Sequence, residues 1–264
     1  MGVKRYIRLF RQAAVNRFAL YAASRADLVT FIFGKLLRLG FFVILAVSLF
    51  NHTNTIVGYS EGQVLMLFAM MNMIDMLTQA LWYRGMYNIK DWIRRGKFDM
   101  FLVQPVSPLF KTAAMQLDLF DFITLPVGIA YIIVAWTMLP TQPTLLMAIS
   151  AAVLFLFSIV IAFSINLCMA SVAFWTTENE SAWALYRDSV YVARFPIEIF
   201  PNGFRAFFTF VIPVLAIVSF PAKTLMGLAS PHVLLWGAII AFAWLALGLT
   251  LWRAGLRHYT SASG

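Results

Sequence analysis

Apolar residues fall in six long runs, about 29–50, 63–83, 113–138, 145–175, 206–228 and 233–252, separated by short polar segments. A helix needs roughly 20 residues to cross a hydrocarbon core, and each run supplies them. Lipid offers no partner to an open strand edge, so all six are predicted to be helices. Residues 3–21 follow a different pattern. Val3, Ile7, Phe10, Ala14, Phe18 and Tyr21 recur at three- and four-residue steps, with Lys4, Arg8, Arg11 and Asn16 between them. That spacing predicts an amphipathic helix lying on the cytoplasmic leaflet, basic side toward anionic lipid. In 86–95, Ile89, Trp92 and Ile93 share one helical face while Lys90, Asp91, Arg94 and Arg95 cover the rest. Gly96 is a natural stop there, because basic residues in a last turn favour the negative helix end. The apolar stretch 98–103 then re-enters oil before Pro105 and Pro108 break the chain ahead of the third run. The pattern predicts an all-α polytopic membrane protein with six transmembrane helices, an N-terminal interfacial helix and a short cytoplasmic helix between spans two and three.

Composition agrees: 62% of the 264 residues are hydrophobic and 12% charged, and the mean hydropathy is +0.82. These values exclude an ordinary soluble domain. The net charge of +9 matters through its placement. Lys4, Arg5, Arg8, Arg11, Arg17 and Arg25 precede the first run, with Lys35 and Arg38 entering it; Arg84, Lys90, Arg94, Arg95, Lys97 and Lys111 follow the second; Arg187, Arg194 and Arg205 follow the fourth; Arg253 and Arg257 close the chain. Only Lys223 falls in the opposite loops. The positive-inside rule then makes both termini and the segments after spans two and four cytoplasmic. The basic excess is a topology signal and does not point to nucleic acid. The first run begins too late and is too long for a cleavable signal peptide. One membrane domain is expected over 1–264: the interfacial helix to residue 25, a six-helix body over 26–252 and a cytoplasmic tail from 253.

Soluble chemistry is sparse. A lone Cys168 permits no disulfide within the chain, and His52, His232 and His258 lack metal-ligand spacing. No phosphate-loop motif and no nucleophile elbow occurs. Any ATP hydrolysis must therefore belong to another polypeptide, and no catalytic, cofactor or metal site is predicted. Polar residues inside the spans carry the remaining signal, because they are costly in lipid. Asn72, Asp75 and Gln79 form one stripe on span two, beside Met66, Met70, Met71, Met73 and Met76. The stripe reads either as the wall of a translocation pathway or moving interface, or as a static contact between helices or subunits. Asp118 and Asp121, with Glu178 and Glu180, are expected to pair with nearby Arg or Lys. Ser164, Asn166 and Ser171 read as glue between helices, and Pro213 as a kink in span five.

The run Arg95-Gly96-Lys97-Phe98-Asp99-Met100-Phe101-Leu102-Val103-Gln104-Pro105-Val106-Ser107-Pro108-Leu109 resembles the signature of ABC-2 type permeases, the membrane subunits of ATP-binding-cassette exporters. Ala193-Arg194-Phe195-Pro196 with Ile199-Phe200-Pro201, Ile212-Pro213 with Phe220-Pro221-Ala222, and the ending Leu251 to Ala262 resemble the same family. Gln104 departs from it, since many relatives carry Arg or Lys there. The resemblance implies a coupling element at about 87–99, with Ile89, Trp92, Ile93, Arg94, Arg95 and Asp99 meeting a separate ATPase subunit that binds ATP and Mg. The apolar face of that element would fill a groove on the ATPase or hold the helix against the membrane. The resemblance further implies a second permease, identical or paralogous, a bacterial inner-membrane location among lipids, and a hydrophobic or amphipathic substrate. It also implies short re-entrant helices between spans five and six, assigned to 219–231. Two other classes are weighed against it. An integral-membrane enzyme acting on lipids would cluster His, Asp or Ser at one depth, and an ion-coupled carrier would show inverted repeats; neither pattern is visible.

Overall fold

The second apolar run and the amphipathic stretch after it form one helix, where the pattern predicts two. The computed structural model describes residues 3–22, 25–53, 55–176 and 180–260. In it Glu61–Arg94 is continuous over 34 residues, about 50 Å at the α-helical rise. The backbone N–H of Ser60 donates to the Gln63 side chain at 2.9 Å and completes a capping box at the start. The far end stops at Gly96, whose φ of +64° suits glycine and few other residues. No proline lies between, so nothing breaks the backbone ladder. A π turn at Gln79–Tyr83 interrupts it without ending it. The predicted separate cytoplasmic helix is therefore the last three turns of span two.

In chain order, α1 is Val3–Ala22, α2 Arg25–Phe50, α3 Glu61–Arg94, α4 Asp99–Leu102, α5 Pro108–Ala114, α6 Leu119–Thr137 and α7 Leu145–Val172. Then come α8 Glu180–Val192, α9 Asn202–Val211, α10 Val214–Leu225 and α11 Val233–His258. Five of them, α2, α3, α6, α7 and α11, are long and apolar enough to cross a bilayer. They match the predicted first four spans and the sixth. One end of the bundle holds Ser60 and the start of α7; the other holds Gly96 and both described chain ends. Here Tyr6 of α1 packs edge-on against Phe110 at 4.8 Å, and Arg17 donates to Gln116.

The fifth passage is a correction. Residues 206–228 do not form a straight span, because α9 and α10 meet at a 96° bend across Ile212 and Pro213. The chain instead climbs through α8. Glu180 accepts from Lys90 at 2.5 Å at the Gly96 end, and Tyr186 meets Asn166 of α7 partway along. Glu198, just beyond α8, reaches the Ser60 end, where Tyr59 donates to it at 2.8 Å and Lys223 pairs with it. The pair α9 and α10 thus enters from the Ser60 end and returns there as a hairpin. The re-entrant element expected at 219–231 lies earlier, at 202–225. Arg205, counted with the cytoplasmic charges, sits at the opposite end, its guanidinium on the Phe200 carbonyl at 3.2 Å.

Packing explains why α10 is so apolar. Its Val214, Leu215, Ala216, Ile217 and Val218 are all buried against α7 and α3, so its hydrophobicity reflects protein contact more than lipid contact. α11 lies along α7 through small residues: a Cβ on Gly248 would stand 3.1 Å from the Ser164 carbonyl, and one on Gly237 2.7 Å from Leu154. α2 is held differently. Most of its surface is exposed, and its ties are specific: the Lys35–Asp121 ion pair, a Tyr131 hydroxyl donating to the Leu39 carbonyl at 2.8 Å, and Phe42 stacked on Phe68.

At the Gly96 end, Phe98, Phe174, Trp252 and Tyr259 pack ring to ring, and the Tyr259 hydroxyl donates to Asp99 at 2.8 Å. This fastens the end of α11 to the loop after Gly96. Burial, then the Asp99 carboxylate, push the Tyr259 phenol up to about 12 from 10.0. The neutral phenol is the stabilising form, so its contribution is complete below pH 10 and is lost as pH rises through about 12. Tyr259→Phe should lower stability by about 1 kcal/mol and remove that alkaline step, as read by thermal unfolding in detergent across pH. A variant that keeps both the midpoint and the alkaline step would show the bond to be idle.

Candidate functional site

The polar stripe of α3 is organised by a residue from α2. Asn72 is buried, donates to the Phe68 carbonyl at 2.9 Å and accepts from Arg38 at 3.4 Å. Arg38 also stands 3.6 Å from one Asp75 oxygen, while Gln79 donates to the other at 3.4 Å. The three predicted residues therefore share one charge-assisted network. Its open side faces α8. A crevice of about 40 Å³ there is lined by Asp75, Gln79, Tyr83, Tyr186, Arg187 and Tyr191, with Ile217 of the hairpin at its edge. That volume holds only a few waters.

The α8 half of this wall was missed by the sequence reading, which placed the segment in a cytoplasmic loop. Its signal was present: Arg187, Tyr191 and Arg194 recur at steps of four and three, the helical period. Arg187 pairs with Asp188 at 3.2 Å, and the Arg194 guanidinium lies 4.7 Å over the Tyr191 ring. Of the methionines beside the stripe, Met66, Met70, Met71 and Met76 are buried. Met73 and Met76 place their sulfurs where a Cβ on Gly128 of α6 would stand, at 3.0 and 3.1 Å. They pack α3 onto α6 and do not line the crevice.

The other predicted polar groups sort clearly. Asp118 caps α6 by accepting from the Phe120 N–H at 3.1 Å and pairs with Arg84 at 3.2 Å. Asp121 pairs with Lys35, and Glu180 with Lys90; Glu178 lies outside the described residues. Asn166 does join two helices, donating to the Tyr186 hydroxyl at 3.1 Å. Ser164 and Ser171 do not, since each donates to a carbonyl one turn back in its own helix. No group of three or more potential metal ligands occurs among the described residues.

The predicted coupling residues divide between core and surface. Ile89 is fully buried within the chain. Trp92 and Ile93 are half-buried, Trp92 against the Phe101 ring at 5.0 Å. Arg94 and Arg95 point to solvent, and Asp99 holds Tyr259. Beside the two arginines, Lys97, Met100, Leu102 and Val103 are also exposed, Val103 at 81%. Gln104, the departure from the family pattern, accepts from Lys111 at 2.6 Å.

The geometry is that of a helical membrane protein with an interior polar wall joined by one helix to a basic, apolar-tipped end. The family model described as ABC-2 family transporter protein matches residues 36–263. The chain belongs to the ABC-2 transporter family. Neither a curated protein nor a solved structure matches it.

Proposed function

We propose that this chain is the permease subunit of an ATP-driven exporter in a bacterial inner membrane, working as a dimer with ATPase subunits that bind ATP and Mg in trans. The observation that carries the reading is α3. One continuous helix, through its π turn, joins the polar wall at Asp75 to the exposed surface at Gly96, so a push received at that end reaches the wall through a rigid element. Family membership supplies the ATPase as the source of the push. The charge bias supports a cytoplasmic Gly96 end, and with it cytoplasmic termini. The exposed apolar faces of α1, Ile7 and Phe18 among them, suit a helix lying in the inner leaflet. The whole chain then acts as one membrane domain that carries no cofactor of its own, with a hydrophobic or amphipathic substrate.

Because Ile89 is committed to the core, docking falls to its neighbours: Arg94, Arg95 and Lys97 meet acidic groups of the ATPase, and Met100, Leu102 and Val103 enter its groove. Trp92 supports that surface from beneath through Phe101. A buried apolar anchor at an interface commonly contributes about 2 kcal/mol or more. Val103→Asp, which touches nothing in the core, should leave the permease folded and lower ATPase co-purification and substrate-stimulated turnover severalfold. Full stoichiometry and full stimulation in Val103→Asp together with Arg95→Glu would move the coupling surface elsewhere on this chain.

A further inference from the structure

We infer that the wall between α3 and α8 recognises the anionic headgroup of an amphiphile, a carboxylate, phosphate or sulfate, with Arg194 as the group that holds it. This deepens the permease reading and rests on it for its purpose.

One guanidinium, Arg187, lines the crevice, and two more reach it through their neighbours, Arg38 through Asp75 and Arg194 through Tyr191. Arg38 is balanced by Asp75 at 3.6 Å, and Arg187 by Asp188 at 3.2 Å. Arg194 has no carboxylate within ion-pair distance among the described residues. Its Nε donates to the Tyr191 carbonyl at 2.9 Å and its plane covers the Tyr191 ring. It lies within electrostatic reach of both Arg38 and Asp75, yet Asp75 is already engaged by Arg38 and Gln79. The wall therefore carries one positive charge in surplus.

Its depth makes the surplus informative. Arg194 follows Tyr191, which shares the crevice with Asp75 and Ile217, and precedes Glu198, which marks the Ser60 end. It thus stands between the ends of the bundle, where an uncompensated cation is costly and marks a pathway by default. A guanidinium whose Nε is tied to the backbone still presents its terminal N–H groups as a planar fork, the geometry that suits an oxyanion. A cationic headgroup would meet like charge, and an uncharged one would leave the surplus in place. The next residue, Phe195, is exposed and supplies apolar surface for the rest of the molecule. The wall thus pairs a charged contact with an oily one.

The test uses the full chain in phosphatidylcholine nanodiscs, without an ATPase, titrated with a dansylated undecanoic acid and with its methyl ester. The acid should bind saturably and about tenfold more tightly than the ester, a difference of about 1.4 kcal/mol. Arg194→Gln should remove that preference while leaving ester binding unchanged, and Arg194→Lys should keep part of it. Equal binding of acid and ester by the unmodified chain overturns the proposal without any variant having to fold; a partner subunit's carboxylate would then be the missing counter-charge. Parallel loss of acid and ester binding in Arg194→Gln overturns it too, because that is the mark of a structural role. A chain that couples to an ATPase yet ignores headgroup charge loses the anion site and keeps the permease reading. Charge-selective binding in a chain that recruits no ATPase does the reverse.

Discussion

Asp121→Asn is expected to cost the bundle about 3–5 kcal/mol and to loosen α2 from the rest of the chain. The side chains of Lys35 and Asp121 are 12% and 4% exposed, so neither is hydrated enough to stand alone. Removing the carboxylate leaves the ammonium where it was, without its counter-charge, and that is the expensive half of a buried pair. The effect concentrates on α2 because this helix has few other ties. Phe42 and Phe68, stacked across α2 and α3, give a direct readout. With both replaced by cysteine in a Cys168→Ser background, disulfide yield should fall sharply when Asp121→Asn is added, alongside a lower midpoint of thermal unfolding. Replacing the pair together, Lys35→Met with Asp121→Leu, should recover most of the stability, since an apolar pair of similar volume carries no stranded charge. An Asn variant with normal midpoint and normal crosslinking would mean that α2 is held by packing alone.

Gly85→Ala should be the most damaging added methyl group among the described glycines, at about 3 kcal/mol. A Cβ at this position would stand 1.8 Å from the carbonyl oxygen of Thr112 and 3.0 Å from the Gln116 Cβ. Carbonyl oxygens cannot rotate aside as a side chain does, so α5 itself must retreat. Gly85 lies between the π turn and the exposed Gly96 end, so the retreat should also misplace the docking surface. Thermal unfolding reads the first effect and ATPase stimulation the second. Gly34 and Gly40 serve as controls, because nothing stands within 4 Å of a Cβ on either; alanine there should be nearly silent.

The contrast between span one and span five shows what hydropathy can see. Residues 29–50 are apolar and mostly exposed on the outside of the bundle, and their pattern names them directly. Residues 214–225 are as apolar because they are wrapped in protein, and hydropathy does not distinguish the two surroundings. The segment that makes the crossing, α8 and the turn after it, carries Arg187, Asp188 and Arg194, since one face of it borders the polar wall; a window that scores oil passes over it. The stripe of Asn72, Asp75 and Gln79 was legible from spacing alone. Its organiser, Arg38, is more than thirty positions away, and nothing in the local pattern of either helix links them. Helix 86–95 was legible too, and so was Gly96 as its stop. Its continuity with span two was obscured by the change from apolar to charged residues at Arg84, which marks where the bundle changes surroundings rather than where the helix ends. The same blind spot gave Ile89 to a partner's groove or to the membrane surface: an apolar stripe does not say whether its cover comes from the same chain.

The π turn at Gln79–Tyr83 fixes a phase. A turn of this kind accommodates one residue more than α geometry would, and one residue is about 100° of azimuth. Asp75 lies on one side of the insertion, Gly85 and Arg95 on the other. Excising a single residue from 79–83 would restore a regular ladder, yet it would swing the Gly96 end, Gly85 and Ile89 with it, by more than a quarter of a circle relative to the polar wall. Arg95 and Asp75 face their separate neighbours at once only because that extra residue keeps the two halves of α3 out of register with each other.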